Sequence, residues 1–197
     1  NAKRNVINLG NIQKAAGKAK VEVEDLSKAL MMRPAALMKA WEAVGKAGVP
    51  YSLDGLSPQD REARLLKSQR TLVEMGAEVH RQDTDMPIDK AAEFLHTLGI
   101  NYKAGDAKFE RGTGKGDYDA DVAKLANQLL YVANATKTSA SKLSAGLRQY
   151  APLYGNLGNS FSESAALLGA MVQGGLDEVE AGTALKSMGV RFIKNFT

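Results

Sequence analysis

The chain has 197 residues, of which 44% are apolar and 24% charged, a balance typical of a soluble globular protein. It has no cysteine, which excludes disulfides, thiolate nucleophiles and thiolate metal ligands and fits a reducing compartment. The net charge is +4, and no apolar run approaches the ~20 residues that a bilayer-spanning helix needs.

The first twenty residues hold no acidic side chain and five basic ones, Lys3, Arg4, Lys14, Lys18 and Lys20. We expect residues 1–20 to form a basic, partly disordered leader, whose Asn1-Ala2 start resembles the scar of a removed tag. Such a leader can bind nucleic acid or a membrane surface, but a solvated arm is the commoner meaning, since no aromatic residue is interleaved to stack on a base. Because the chain lacks an initial Met and stops at Thr197 inside a helical pattern, we expect it to be part of a longer polypeptide.

Helical periodicity dominates residues 21–100, which we assign to an N-terminal helical part. Three of its helices have clear start or stop signals. They are 31–47, with Pro34 in the first turn and Gly48 after the last; 58–82, with Ser57 as N-cap, Pro58 at the first position and Asp60 in the first turn; and 87–98, opened by Pro87 and ended by Gly99.

Residues 101–118, "NYKAGDAKFERGTGKGDY", have no apolar period, and we predict a mobile Gly-rich loop. Its tip has some likeness to a phosphate-binding loop. However, Gly116 follows Gly114-Lys115 where Ser or Thr is needed, and Phe109 stands in the place of the first glycine. We therefore do not predict a nucleotide site.

The segment 119–197 carries the firmest helical signals and is predicted to be a helical core. Its helices are 119–134; 139–150, closed by Pro152 and Gly155; 165–173, behind a Ser160–Glu163 capping box; and 177–188, ended by Gly189. The third is apolar nearly all round, so we expect it to be central and buried. The predicted fold is all-α: a compact bundle of about eight helices with short Gly/Pro turns and one mobile loop.

Glycine recurs in two roles. Four glycines precede a branched residue or Leu and are predicted to end helices in the left-handed conformation: Gly48, Gly99, Gly175 and Gly189. Gly169 and Gly182 lie inside helices, where each costs ~1 kcal/mol, so we expect a neighbouring helix to approach closely. We expect two tightly packed helices to meet at the Gly174-Gly175 corner. Our structural and contact candidates are Gly174, Gly175, Gly182, Leu185, Ser160 and Glu163.

No group of residues has the pattern of a catalytic or metal site. His80 and His96 lack a helical i,i+4 partner, and we expect both to be partly exposed helix residues. Asp117, Asp119 and Asp121 have the alternation of a calcium loop but lack its glycine and its final glutamate. We predict no catalytic residue, no cofactor and no metal, and hence no enzyme.

One stretch carries a nucleic-acid alternative. In "TKTSASKLSAGLRQYAP", Lys137, Lys142 and Arg148 could face phosphates from a helix. Lys142 and Arg148 are six residues apart and share a helix face poorly. A helical module that binds nucleic acid through a basic surface is therefore our second hypothesis.

Residues 133–188 have a distinctive order and spacing of small residues. Its features are Ala133-Asn134-Ala135, Leu143 and Leu147, Pro152, Leu157-Gly158, the helix Ala165 to Leu168, Gly174-Gly175, and Gly182-Thr183-Ala184-Leu185. In these features the segment resembles the core region of phage tail tape measure proteins. The family more often has Ala-Gly at 174–175. The likeness extends weakly to "DKAAEFLHTLGI", and the loop 101–118 has the character of an insertion.

The resemblance implies a structural protein of a phage or prophage tail. Members of that family are long helical chains inside the tail tube, and their length sets tail length. The resemblance implies as partners the tail tube subunits, tail assembly chaperones and other copies of the chain. It implies a location in the lumen of the virion tail, and in the host cytoplasm during assembly. It transfers no catalytic residue.

Overall fold

The computed structural model describes residues 2–49, 53–102 and 118–196, with side-chain surroundings for those between residues 14 and 195. Every element in these ranges is an α-helix, which confirms the predicted all-α bundle of about eight helices. They are α1 (Ala2–Leu30), α2 (Pro34–Ala47), α3 (Pro58–Gln82), α4 (Ile88–Asn101), α5 (Tyr118–Ala135), α6 (Ala140–Asn156), α7 (Phe161–Gln173) and α8 (Glu178–Phe196). Residues 2–20 of the expected leader belong to α1, and the Gly-rich stretch lies outside the described residues apart from its two ends.

The helix starts confirm the capping signals of the sequence. The Ser57 hydroxyl accepts a hydrogen bond from the backbone N–H of Asp60 at 3.1 Å. The capping box at α7 is complete: the Glu163 N–H donates to the Ser160 hydroxyl at 3.2 Å, and the Ser160 N–H donates to the Glu163 carboxylate at 2.8 Å. These bonds satisfy backbone donors that a helix start leaves without a partner.

The helix ends confirm only part of the glycine prediction. Gly48 and Gly175 end their helices with φ of 74° and 99°, values that favour glycine. At Gly175 the backbone closes as a Schellman motif, since its N–H donates to the Val172 carbonyl at 3.0 Å and the Leu176 N–H donates to the Met171 carbonyl at 3.2 Å.

Three predicted helix ends are wrong. α4 continues through Gly99 to Asn101, α6 through Pro152 to Asn156, and α8 through Gly189 to Phe196. At the two glycines the reason is packing: an added Cβ would lie 2.8 Å from the Tyr118 ring at Gly99, and 2.8 Å from Leu153 at Gly189. Pro152 is exposed, whereas its neighbours Ala151 and Tyr154 are buried and hold the helix despite the missing N–H.

The central helix is α4. It packs against α2, α3, α5 and α6, and nine of its 14 residues are buried. The expectation that α7 is central is wrong, because only five of its 13 residues are buried and Leu167 on its outer side is 42% exposed. The apolar composition of α7 therefore does not make it the central helix.

A close backbone contact joins α6 and α8. A Cβ added at Gly182 would overlap the Gly146 carbonyl, and one added at Gly146 would overlap the carbonyl of Glu178. Seven residues further along both helices, Gly189 faces Leu153, so the two helices run parallel. The helix α7, which lies between them in the chain, runs in the opposite direction. The predicted packing reason for Gly182 is confirmed, but its partner is α6 and not α7.

Gly169 also has the predicted packing reason. A Cβ added there would lie 2.5 Å from the Thr136 side chain, at the end of α5. An equivalent contact occurs in the N-terminal half, where Gly76 of α3 faces the backbone of α4. Glycines inside helices therefore set several of the interhelical distances.

The two histidines differ in their surroundings. His80 is half-buried, as predicted, with its Nδ1 2.9 Å from the Met86 carbonyl oxygen. His96 is only 6% exposed, which corrects the expectation of a partly exposed residue. Its Nδ1 lies 2.6 Å from the hydroxyl of Tyr118, the first residue of α5. Burial lowers the pKa of His96, because the charged imidazolium loses hydration.

We expect Gly182→Ala to destabilise the fold by about 3 kcal/mol, because the new methyl group must push α8 away from the backbone of α6. The matched control is Gly17→Ala in α1, where an added Cβ meets nothing within 4 Å. That change should leave stability unchanged or raise it by up to about 1 kcal/mol. Urea unfolding followed by circular dichroism measures both, and equal effects at the two glycines would contradict the close contact.

The folded protein should lose stability as the pH falls below about 6.5. Because the folded-state pKa of His96 lies below its value of 6.5 in the unfolded chain, the unfolded state binds more protons in this window. Urea unfolding at about pH 7.5 and about pH 5.5 measures the difference. His96→Gln should reduce the difference in stability between the two pH values. His80→Gln is the control, and it measures the effect of removing a histidine that is only half-buried. An unchanged pH dependence in His96→Gln would contradict the assignment.

Candidate functional site

The six candidate residues of the sequence fall into two groups in the structure. Gly182 and Leu185 are buried against α6, and the Leu185 carbonyl accepts a hydrogen bond from the Tyr154 hydroxyl at 3.1 Å. The other four are exposed: Gly174, Gly175, Ser160 and Glu163. The first group therefore shapes the fold from inside, and only the second is accessible to another molecule.

The exposed pair Ser160 and Glu163 is occupied by its own helix. Hydrogen bonds from the Ser160 backbone N–H, and then from its hydroxyl, lower the pKa of the Glu163 carboxyl. The carboxylate also lies at the helix N-terminus, where the dipole favours negative charge. This pair fixes the entry into α7 and carries no feature of an acid–base site.

The corner at Gly174 and Gly175 fixes the path from α7 to α8. Directly after it, the Asp177 carboxylate accepts the backbone N–H of Val179 at 2.9 Å and caps the new helix. Leu176 remains 41% exposed beside the two glycines. The corner therefore presents a small apolar surface on a backbone that hydrogen bonds hold in place.

A cluster of buried tyrosines lies near the start of α7, at the opposite end of that helix from the corner. The Tyr150 hydroxyl donates to the Ser164 carbonyl of α7 at 2.5 Å, and the Tyr102 and Phe161 rings meet edge to face at 5.4 Å. Desolvation raises the pKa of Tyr102 to about 12 and also raises that of Tyr150, so both hydroxyls stay protonated near neutral pH. The cluster connects α4, α6 and α7.

A polar cleft of about 500 Å³ lies where the ends of α3 and α5 approach the starts of α6 and α8. Its charged lining is mixed and consists of Asp83, Asp85, Lys137, Lys142 and Glu178. The Asp83 carboxylate accepts the backbone N–H of Ser141 in the first turn of α6 at 2.7 Å. A side chain from the N-terminal half therefore caps a helix of the C-terminal half.

The three basic residues of the nucleic-acid hypothesis do not form one patch. Lys137 and Lys142 line the polar cleft together with Asp83, Asp85 and Glu178, which offset their charge. The Arg148 guanidinium lies over the Phe94 ring at 5.2 Å from its centroid. This arrangement lacks the continuous basic stripe that a polyanion needs.

Exposed apolar side chains are concentrated at the end of α6 and on α7 and α8. Of the ten large apolar residues that are exposed in the described part of the chain, seven lie there: Leu157, Leu167, Leu176, Val179, Met188, Val190 and Phe192. The sequence analysis did not select this set. Val190 and Phe192 were overlooked because α8 was expected to end at Gly189. These exposed apolar side chains are available for contact with another protein.

Two further observations concern the described residues only. They contain no group of three or more His, Asp or Glu side chains arranged to hold a metal ion. None of their helices combines the length and the apolar character that crossing a membrane requires.

The chain matches a known protein family over most of its length. Residues 22–195, from the middle of α1 to the last turn of α8, match the family model described as phage-related minor tail protein. No curated protein and no solved structure matches the chain.

We expect Asp83→Ala to destabilise the fold by about 2 kcal/mol, because the Ser141 N–H would lose a charged hydrogen-bond acceptor at a helix N-terminus. Asp85→Ala is the matched control, since Asp85 lies in the same turn and is exposed. Its loss should change stability by less than about 0.5 kcal/mol. Thermal unfolding measures both variants, and equal shifts would show that Asp83 does not act as a cap between the two halves.

Proposed function

The chain belongs to the phage-related minor tail protein family, and we propose that within a phage tail it is a structural segment of a tape measure protein. In this role it acts in tail assembly and in setting tail length, through contacts that its helices make with other proteins. Family membership supports the tail role. The narrower tape measure assignment is supported by the resemblance of residues 133–188 in the order and spacing of small residues.

The observation that carries the contact role is the concentration of exposed apolar side chains on α7 and α8. The Tyr150 hydroxyl of α6 donates to the Ser164 carbonyl of α7 and α8 packs on α6, so these side chains are presented on packed helices. Within the proposal, the partners are tail tube subunits, tail assembly chaperones and other copies of the chain. The location is the lumen of the virion tail, and the host cytoplasm during assembly.

We also propose that the two parts of the chain have different roles. Residues 119–197 form the tape-measure-like core, and residues 21–100 form an N-terminal part that stabilises it. Packing of α3 and α4 against α5, and of α4 against α6, supports this role for the N-terminal part. The nucleic-acid alternative gains no support, because the lysines it needs share the polar cleft with three carboxylates.

Removing the coding region for residues 22–195 from the phage should shorten the tail. If this segment spans the tail as one continuous helix, the tail should become shorter by about 260 Å, at about 1.5 Å per residue. Electron microscopy of negatively stained tails measures the change. A tandem duplication of the same region is the control, and it should lengthen the tail. Tails of unchanged length in both phages would contradict a role in length determination.

A further inference from the structure

One side of α8 has no partner within the described part of the chain. Its opposite side is buried on α6 through Ala181, Gly182, Leu185 and Gly189. We use the name α8 outer face for the exposed residues Val179, Glu180, Thr183, Ser187, Val190 and Arg191. Val179 and Val190 are 44% and 37% exposed. They are eleven residues apart, close to three helical turns of 3.6 residues, and therefore lie on one line along the helix.

The charges of α8 are separated along its length. Acidic residues occupy its start, with Asp177, Glu178 and Glu180, and basic residues occupy its second half. Glu180 and Arg191 are also eleven residues apart, on the same flank of the valine line. Neither forms an ion pair with any other described residue. The helix dipole accounts for the order of the charges, but not for two exposed valines in register with them.

We propose that the α8 outer face binds the same face of a second copy of this chain, with the two helices antiparallel about a two-fold axis. Val179 then lies beside Val190 of the second copy, Glu180 beside its Arg191, and Thr183 beside its Ser187. In each of the three pairs, the position halfway along α8 between the two residues lies within one residue of Leu185. One two-fold axis near Leu185 therefore forms all three contacts. A two-fold axis forms each contact twice, which makes the face self-complementary.

The chemistry of the face indicates the strength of this association. One helix pair with two valines per copy buries less area than a stable dimer needs, so the association is weak and concentration-dependent. Exposed ion pairs contribute little each and are screened by salt, so they decide orientation more than affinity. The proposal deepens the proposed function by naming a surface for contact between copies, and it rests on that function for its role in the tail.

The test is sedimentation equilibrium of the complete chain at low salt, from about 10 µM to about 1 mM. The unaltered chain should dimerise at the upper end. Glu180→Arg and Arg191→Glu each place like charges together twice per dimer, and each should raise Kd at least about tenfold. The double variant Glu180→Arg with Arg191→Glu should restore dimerisation. An equimolar mixture of the two single variants should form a mixed dimer.

Glu42→Arg on α2 is the control, since it makes the same charge change at an exposed residue of another helix, and it should leave Kd unchanged. Circular dichroism of every variant separates loss of association from loss of folding. A chain that is monomeric throughout the range would overturn the proposal, as would single variants that dimerise normally or a double variant that stays monomeric. These measurements use the purified chain, so an unchanged tail length after deletion would count against the proposed function alone.

Discussion

The backbone contact between Gly146 and Gly182 sets how the helices of the C-terminal half pack. Neither residue has a side chain, so two parallel helices approach until the carbonyl of one occupies the space that a Cβ of the other would need. At this distance the Tyr154 hydroxyl reaches the Leu185 carbonyl, a bond that a wider spacing would break. With α6 and α8 in direct contact, α7 is left at the surface with its apolar outer side exposed. A constraint in the interior thus decides which side chains are available to partners.

The N-terminal helices stabilise this arrangement from the other side. α4 contacts helices of both halves, and Asp83 caps α6 across the polar cleft. The carboxylate acts where the unpaired N–H groups and the dipole of α6 coincide, so one side chain couples the position of the α3–α4 turn to the start of α6. The close contact at Gly76 has the same physical basis as the one at Gly146. The two halves are therefore connected by packing and by a directional bond.

A phage tail protein of this kind acts through shape and contact, and the molecule is organised accordingly. The buried hydroxyls of Tyr102 and Tyr150 stay protonated and support packing, and the cleft holds three carboxylates beside its two lysines. The exposed side chains on α7 and α8 include several large apolar residues, and the charges of α8 are separated along the helix. Weak, self-complementary contacts of this kind act together where several copies of a chain are held side by side.

Features that depend on neighbours along the chain could be predicted from the amino-acid sequence. The all-α class, the caps at Ser57 and Ser160, and the turn at Gly175 were predictable, because a cap is made by residues within one helical turn. Tertiary structure alone decided whether Gly99 and Gly189 end a helix or sit at a helix contact, whether His96 is buried, and which face of α7 is exposed. The local pattern is the same in either case. What differs is the approach of a distant segment, because backbone contact at a glycine needs a partner that no nearby residue specifies.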